Sequence, residues 1–176
     1  MAAMLPPPVA RIVILVLRIL ITITLFASFI IVVTNSQDYY DLGLHQRRTW
    51  HFTDEIGLQY MAATLGLGIV FSIYGTAVMA LRIKRGNDEG NLLIDFYGQK
   101  VLSNLLVTAT VAAFLTIQKF YKEREDNLKI FPQSDLGTFE YYWGRYRTSS
   151  GLVILAFFFS FALSVLSTHR LASRIE

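Results

Sequence analysis

Hydrophobic residues gather into four long blocks along the chain, and charged stretches separate the blocks. Each block is roughly 17 to 25 residues long, which is the length that an α-helix needs to cross a bilayer. Because the apolar residues are concentrated in blocks, they indicate membrane spans and not the core of a soluble domain. The pattern therefore predicts an all-α protein built as one bundle of four transmembrane helices.

The limits of the spans follow from the residues that interrupt the apolar blocks. The predicted transmembrane helices cover residues 12–33, 58–81, 92–118 and 148–169. The segments outside them are the N-terminus, a long first loop, a short middle loop, a long second loop and the C-terminus, at 1–11, 34–57, 82–91, 119–147 and 170–176. No second domain is expected.

Basic residues predict the orientation of the bundle. Six of them precede the first span, lie in the short middle loop or follow the last span, segments that share one side of a four-span bundle: Arg11, Arg82, Lys84, Arg85, Arg170 and Arg174. The two long loops also contain basic residues, but at lower density. Because Lys and Arg concentrate in cytoplasmic segments, we expect both termini in the cytosol and both long loops outside the cell.

Composition supports a membrane protein and removes several other classes. The chain has 176 residues, of which 53% are hydrophobic and 16% are charged, and its mean hydropathy is +0.44, too apolar for an ordinary soluble domain. The net charge of +3 is small, and the basic residues lie at span ends and in loops, so no nucleic-acid partner is expected. The absence of cysteine excludes disulfides, thiolate metal sites and a thiol nucleophile.

Charged residues within the predicted spans are the most informative candidates, because a charge in the bilayer is costly unless it is paired or reaches water. Arg18 lies in the first span, and Asp95 and Lys100 lie in the third. At 1.5 Å of rise per residue, these positions overlap in depth. We predict an ion pair between Arg18 and Asp95, with Lys100 and Gln99 as possible members of the same network. Alternatively, the cations extend to the membrane surface and Asp95 caps its helix.

Small residues in the second span predict close helix packing, since small side chains let helix backbones approach where no hydrophobic effect drives association. The candidate packing residues are Ala62, Ala63, Gly66, Gly68 and Gly75. We expect lateral assembly to use small-residue faces of the second and third helices.

No pattern in the chain predicts a catalytic, cofactor or metal site. His45 and His51 share a loop with several carboxylates, but their irregular spacing is more typical of a solvated loop than of a metal site. Neither a phosphate-binding loop, a dinucleotide fingerprint nor a hydrolase motif is present. We expect no enzymatic activity and no cofactor.

Several segments resemble the plant CASP-like proteins, which are relatives of the Casparian strip membrane domain proteins and are similar to MARVEL-type tetraspans. The most specific is the Asp95-bearing stretch at 93–103, followed by Leu17-Arg18-Ile19-Leu20 in the first span. The other similar segments are Val33-Thr34-Asn35, Tyr60-Met61-Ala62-Ala63 and Tyr146-Arg147-Thr148-Ser149-Ser150. The chain differs from the strip-forming members by lacking cysteine in its outer loops, so Casparian strip formation itself is not expected.

The resemblance implies a plasma-membrane scaffold that forms homo-oligomers or hetero-oligomers with related tetraspans, and that organises a membrane domain or recruits cell-wall-modifying partners. A small transporter or channel subunit is the alternative from a different class. It would require a polar stripe through the full depth of the membrane, and the spans show none.

Overall fold

The computed structural model describes residues 7–41, 46–85, 92–126 and 136–172, apart from some side chains within these ranges. It contains four long helices, α1 (Pro7–Thr34), α2 (Ile56–Arg85), α3 (Leu92–Asp126) and α4 (Leu136–Ala172). Each helix contains a segment long and apolar enough to cross a membrane, at Arg11–Thr34, Ile56–Leu81, Tyr97–Lys119 and Glu140–Leu166. The predicted all-α architecture of four membrane-spanning helices is confirmed.

Helix α4 begins at Leu136, before the predicted span at 148. Its first turns carry the aromatic residues Tyr142, Trp143 and Tyr146, each of which is almost completely buried. Their rings pack on one another edge to face or tilted, with centroids 5.0 to 5.8 Å apart. Hydropathy undervalues tyrosine and tryptophan, but burying such large rings stabilises a helix as effectively as aliphatic residues do.

The helices pack in the cyclic order α1, α2, α3, α4, so that each contacts its two neighbours and α1 lies diagonally across from α3. All neighbouring pairs are antiparallel. On α1 and α2, for example, Leu25 contacts Gly68 while Arg18 contacts Gly75. On α1 and α4, Ser28 contacts Ser149 and Asn35 contacts Tyr142. This arrangement is an up-down-up-down bundle.

Apolar side chains fill the centre of the bundle and also cover its outside. Leu25, Leu65, Leu106 and Val153 are fully buried in the core. Many other large apolar side chains point outward, and Val70, Phe158 and Leu115 are more than half exposed. An apolar exterior suits lipid as the surrounding medium, because helices facing a bilayer have no need of a polar outer face.

A two-stranded antiparallel hairpin follows α1, formed by β1 (Ser36–Asp41) and β2 (Gln46–His51). Its register pairs Ser36 with His51 and Asp41 with Gln46, and the Thr49 hydroxyl donates to Asp38 Oδ1 at 2.7 Å. A short 3-10 turn, Phe52–Asp54, then leads into α2. The hairpin was not predicted, because hydropathy gives no weight to the β-forming Tyr, Thr and Trp residues of this loop.

Candidate functional site

Arg18 occupies a buried position between α1 and α2, although it carries a permanent charge. Its side chain is only 7% exposed, and its guanidinium group lies directly against the backbone of Gly75. A Cβ atom built on Gly75 would overlap Nη1 of Arg18. Gly75 therefore provides the space in which the charged group is held, a link between the two residues that their positions in the sequence do not reveal.

Hydroxyl groups beside Arg18 connect the same two helices. The Thr22 hydroxyl lies 2.8 Å from the Arg18 carbonyl oxygen, to which it donates, and 2.6 Å from the Ser72 hydroxyl. Ser72 Oγ also lies 3.4 Å from the Arg18 carbonyl oxygen. These contacts satisfy the hydroxyls inside the protein and bring α1 and α2 together at the level of the buried charge.

Asp95 belongs to α3, but its side chain lies outside the described residues, so the predicted pair with Arg18 stays a prediction. The register of α2 and α3 fixes its level. A Cβ on Gly68 would lie 3.3 Å from Leu102, and one on Gly98 would lie 4.0 Å from Phe71. One helical turn forward along α2 and one turn back along the antiparallel α3, Asp95 comes level with Gly75, against which the Arg18 guanidinium lies.

Gln99 and Lys100, the other proposed members of the network, occupy different surroundings. Gln99 Nε2 donates to Ser160 Oγ at 2.5 Å, and Ser160 Oγ lies 2.7 Å from Ser103 Oγ. Ser103 in turn donates to the Gln99 carbonyl oxygen at 2.9 Å. Gln99 thus connects α3 to α4 through neutral hydrogen bonds, while the Lys100 side chain is exposed.

Two further polar contacts join α1 to α4 and were not anticipated from the sequence. Ser28 and Ser149 are fully buried, and their hydroxyl oxygens lie 2.7 Å apart. Beyond them, Asn35 Nδ2 donates to the Tyr142 carbonyl oxygen at 2.9 Å, and the Tyr146 hydroxyl lies 3.5 Å from the Asn35 carbonyl oxygen. Single serines in apolar blocks carry no signal of which helix they face, so this pairing requires the structure.

The candidate packing residues divide between the interior and exterior of the bundle. Gly68 lies close to Leu25 of α1 and Leu102 of α3, and Ala62 is buried. Ala63 is exposed, and a Cβ on Gly66 would meet no described atom within 4 Å.

Gly57, which was not singled out from the sequence, is a further site of close contact. A Cβ on Gly57 would overlap the Thr116 hydroxyl and lie 2.9 Å from the Ala112 carbonyl oxygen. The backbones of α2 and α3 therefore approach closely at the start of α2.

The histidine-containing loop offers no metal site within the described part of the chain, where no three His, Cys, Asp or Glu residues are grouped to hold an ion. His51 is exposed, and His45 lies outside the described residues. Several polar side chains bond to one another between helices, as Thr22 does to Ser72 and Gln99 to Ser160, and others donate to carbonyl oxygens of their own helix. Their chemistry is thus that of helix association inside a bilayer.

The four spans and their internal polar contacts define an integral membrane protein of the tetraspan class. Residues 8–159 match the model of the Casparian strip membrane protein domain, and the chain belongs to this family. It is 32% identical over 176 residues to a CASP-like protein 4D1 of Ricinus communis, an alignment covering 97% of this chain and 98% of that relative. The expected relationship to plant CASP-like proteins is confirmed.

Two further relatives extend the likeness to other plants. A CASP-like protein 4D1 of Populus trichocarpa is 30% identical, with 95% of this chain and 90% of the relative covered. A CASP-like protein 4D2 of Arabidopsis thaliana is 27% identical over 97% of this chain and 99% of its own length. No solved structure matches the chain.

Proposed function

We propose that this protein is a non-enzymatic scaffold of the plasma membrane, which oligomerises laterally and organises a membrane domain. The observation that carries the proposal is that polar groups of neighbouring helices bond to one another inside the bundle. Arg18 with Ser72, Ser28 with Ser149, and Gln99 with Ser160 each connect two adjacent helices. Polar groups used in this way stabilise a bundle, and among the described residues they form no converging set of the kind that catalysis needs.

The same contacts favour a scaffold over a transporter or channel subunit. An ion pathway needs polar groups that continue through the depth of the membrane. Along α1, the buried apolar residues Ile21 and Leu25 lie between the Arg18 and Ser28 contacts, and the buried Thr24 in this interval donates to the Leu20 carbonyl oxygen of its own helix. Leu65, Leu106 and Val153 are likewise completely buried in the core. Within the described residues, the polar contacts therefore form separate groups divided by apolar side chains.

The proposed orientation places both termini in the cytosol and the hairpin outside the cell. Arg11 at the start of α1 and Lys84 near the end of α2 then lie on the cytosolic side, as the distribution of positive charge favours. The hairpin and the long second loop would face the cell wall. From that side the protein would recruit cell-wall-modifying partners, and laterally it would assemble with its own copies or with related tetraspans.

Photobleaching of a fluorescently tagged chain in plant cells tests the scaffold. We expect slow, patchy fluorescence in the plasma membrane for the wild type, and faster recovery or loss of the membrane signal for Arg18→Ala and Asp95→Ala. Lys122→Ala is the matched control for Arg18→Ala, because it also removes a positive charge, here from an exposed side chain on α3. Free and uniform diffusion of the wild type would contradict the proposal and direct the next measurement to ion flux.

A further inference from the structure

The outward face of α3 carries a regular stripe of exposed side chains. The spacing between its members is alternately four and three residues, which is the repeat that keeps one face of a helix against a parallel partner. We call the following residues the α3 stripe: Tyr97, Val101, Asn104, Thr108, Val111 and Leu115. All six lie within the membrane-spanning segment Tyr97–Lys119.

A stripe with the same spacing runs along the outside of α1 and provides an internal comparison. Its members are Ile12, Val16, Ile19, Ile23, Phe26 and Ile30, each at least 42% exposed. All of them are apolar, as contact with lipid tails requires. The spacing alone therefore does not distinguish α3, but the polar residues within the α3 stripe do.

Asn104 is the residue of the α3 stripe that lipid cannot satisfy. It lies seven residues into the span, so its Cα is about 10 Å from that end of the apolar segment. Its side chain is too short to reach the membrane surface over this distance. The amide has an oxygen acceptor and two N–H donors, and it is exposed. Within the described residues, the side-chain amide of Asn104 forms no hydrogen bond.

The neighbouring Thr108 shows how an outward polar group is satisfied within one chain. Its hydroxyl lies 3.2 Å from the Asn104 carbonyl oxygen and 3.0 Å from the Leu105 carbonyl oxygen. It also lies 3.0 Å from the Tyr60 hydroxyl of α2. Thr108 therefore needs no further partner, whereas an unbonded amide in the hydrocarbon region costs several kcal/mol.

We infer that the α3 stripe is the surface on which a second copy of this chain docks, with the two Asn104 side chains hydrogen bonded to each other. This inference rests on the proposed lateral assembly and names its interface. Copies inserted in the same orientation have parallel α3 helices, so each stripe residue meets its own counterpart at the same depth. An amide is self-complementary, since each Asn104 can donate to the oxygen of the other.

Single cysteines map the interface directly, because the chain contains none of its own. Cysteine is introduced at Val101 or Val111 of the α3 stripe, and at Ile23 of the α1 stripe as the matched control. The proteins are reconstituted into lipid vesicles and oxidised. We expect disulfide-linked dimers for Val101→Cys and Val111→Cys and essentially none for Ile23→Cys. Preferential cross-linking through Ile23→Cys would overturn the inferred interface.

The role of the amide is tested by energy transfer between labelled copies in vesicles at varied protein-to-lipid ratios. We expect Asn104→Leu to weaken self-association about three- to tenfold, as the loss of an interhelical hydrogen bond in a membrane does, and Asn104→Gln to retain most of it. Ile23→Leu is the control. Equal thermal unfolding of these variants in detergent would show that the fold is intact.

The outcomes separate this inference from the proposed function. Wild-type association that Asn104→Leu leaves unchanged would overturn the α3 interface and leave lateral assembly standing through another surface. A wild-type chain that stays monomeric at every protein-to-lipid ratio would overturn both the interface and the proposed oligomeric scaffold.

Discussion

The α1–α2 and α3–α4 contacts solve the same problem with different groups. Between α1 and α2, the charged side chain of Arg18 rests on Gly75 and is accompanied by Thr22 and Ser72. Between α3 and α4, the neutral side chain of Gln99 bonds to Ser160. Both contacts bury polar atoms between two helices of an apolar bundle. Only the first also buries a charge.

The difference shows what each contact requires from the rest of the protein. A neutral donor is satisfied by a single hydroxyl acceptor, so the α3–α4 contact is complete within two helices. The Thr22 and Ser72 hydroxyls bond to the main-chain carbonyl oxygen of Arg18. The charge of its guanidinium is stable in the membrane when a carboxylate lies near. The predicted ion pair with Asp95 of α3, which comes level with Gly75, would make the α1–α2 contact depend on a third helix.

The largest expected effect comes from removing either member of the predicted ion pair. Arg18→Ala and Asp95→Ala are each expected to lower the free energy of unfolding by about 3 to 5 kcal/mol, since each leaves an uncompensated charge in the bundle. The double variant is expected to lose less than the sum of the two. Unfolding in mixed micelles, followed by circular dichroism, measures all three.

The charge reversal Arg18→Asp combined with Asp95→Arg is the companion test. We expect it to recover part of the stability that either reversal alone removes, although Gly75 is shaped for an arginine on α1. Strictly additive losses in both series would show that Arg18 and Asp95 do not interact, and the comparison between charged and neutral contacts would then rest on Arg18 alone.

A smaller effect is expected from Gly75→Ala, with Gly66→Ala as its control on the same helix. Both changes replace glycine by a better helix former, worth up to about 1 kcal/mol. At Gly75 the new Cβ overlaps the Arg18 guanidinium, so we expect a net destabilisation of about 1 to 3 kcal/mol, as for other overpacked sites. At Gly66 no described atom lies within 4 Å of the Cβ, and stability should stay equal or rise.

Thermal unfolding in detergent distinguishes the two glycine variants. A change in stability for Gly75→Ala equal to that for Gly66→Ala would mean that Arg18 moves away from α2 at no cost. The steric part of the α1–α2 contact would then be absent, and only its electrostatic part would distinguish it from the α3–α4 contact.

The number and type of the helices could be predicted from the sequence because four apolar blocks of bilayer length leave few alternatives. The partners of individual side chains could not. Gly66 and Gly75 look alike in the sequence, and both are predicted packing residues, yet of the two only Gly75 is placed so that an added Cβ would overlap a neighbouring helix. Which face of α2 turns inward is set by the packing of all four helices, and four largely apolar helices give little amphipathic signal to predict it.

The hairpin and the start of α4 escaped prediction for a related reason. Hydropathy follows the transfer of side chains to lipid, whereas Tyr142 and Trp143 are buried against other protein groups. Asn35 lies just beyond the predicted first span, but its amide and carbonyl bind α4. These residues carry polar groups but lie inside the protein, and only their tertiary contacts reveal that they are buried.

The smallest expected effect tests the neutral side of the comparison through Ser160→Ala on α4. Ser160 is fully buried, and its hydroxyl contacts both Gln99 and Ser103. The substitution removes one acceptor for Gln99 without leaving a charge, so we expect a loss of about 1 kcal/mol in the free energy of unfolding. Ser103 lies near enough to replace part of the lost bonding.

Ser164→Ala, one turn further along α4, is the control for Ser160→Ala. The Ser164 side chain is half-buried, and within the described residues its hydroxyl forms no hydrogen bond, so its loss should change stability by less than about 0.5 kcal/mol. Mixed-micelle unfolding gives both values. A loss at Ser160 as large as that of Arg18→Ala would mean that neutral and charged contacts hold this bundle equally. The dependence on a third helix would then no longer set the α1–α2 contact apart.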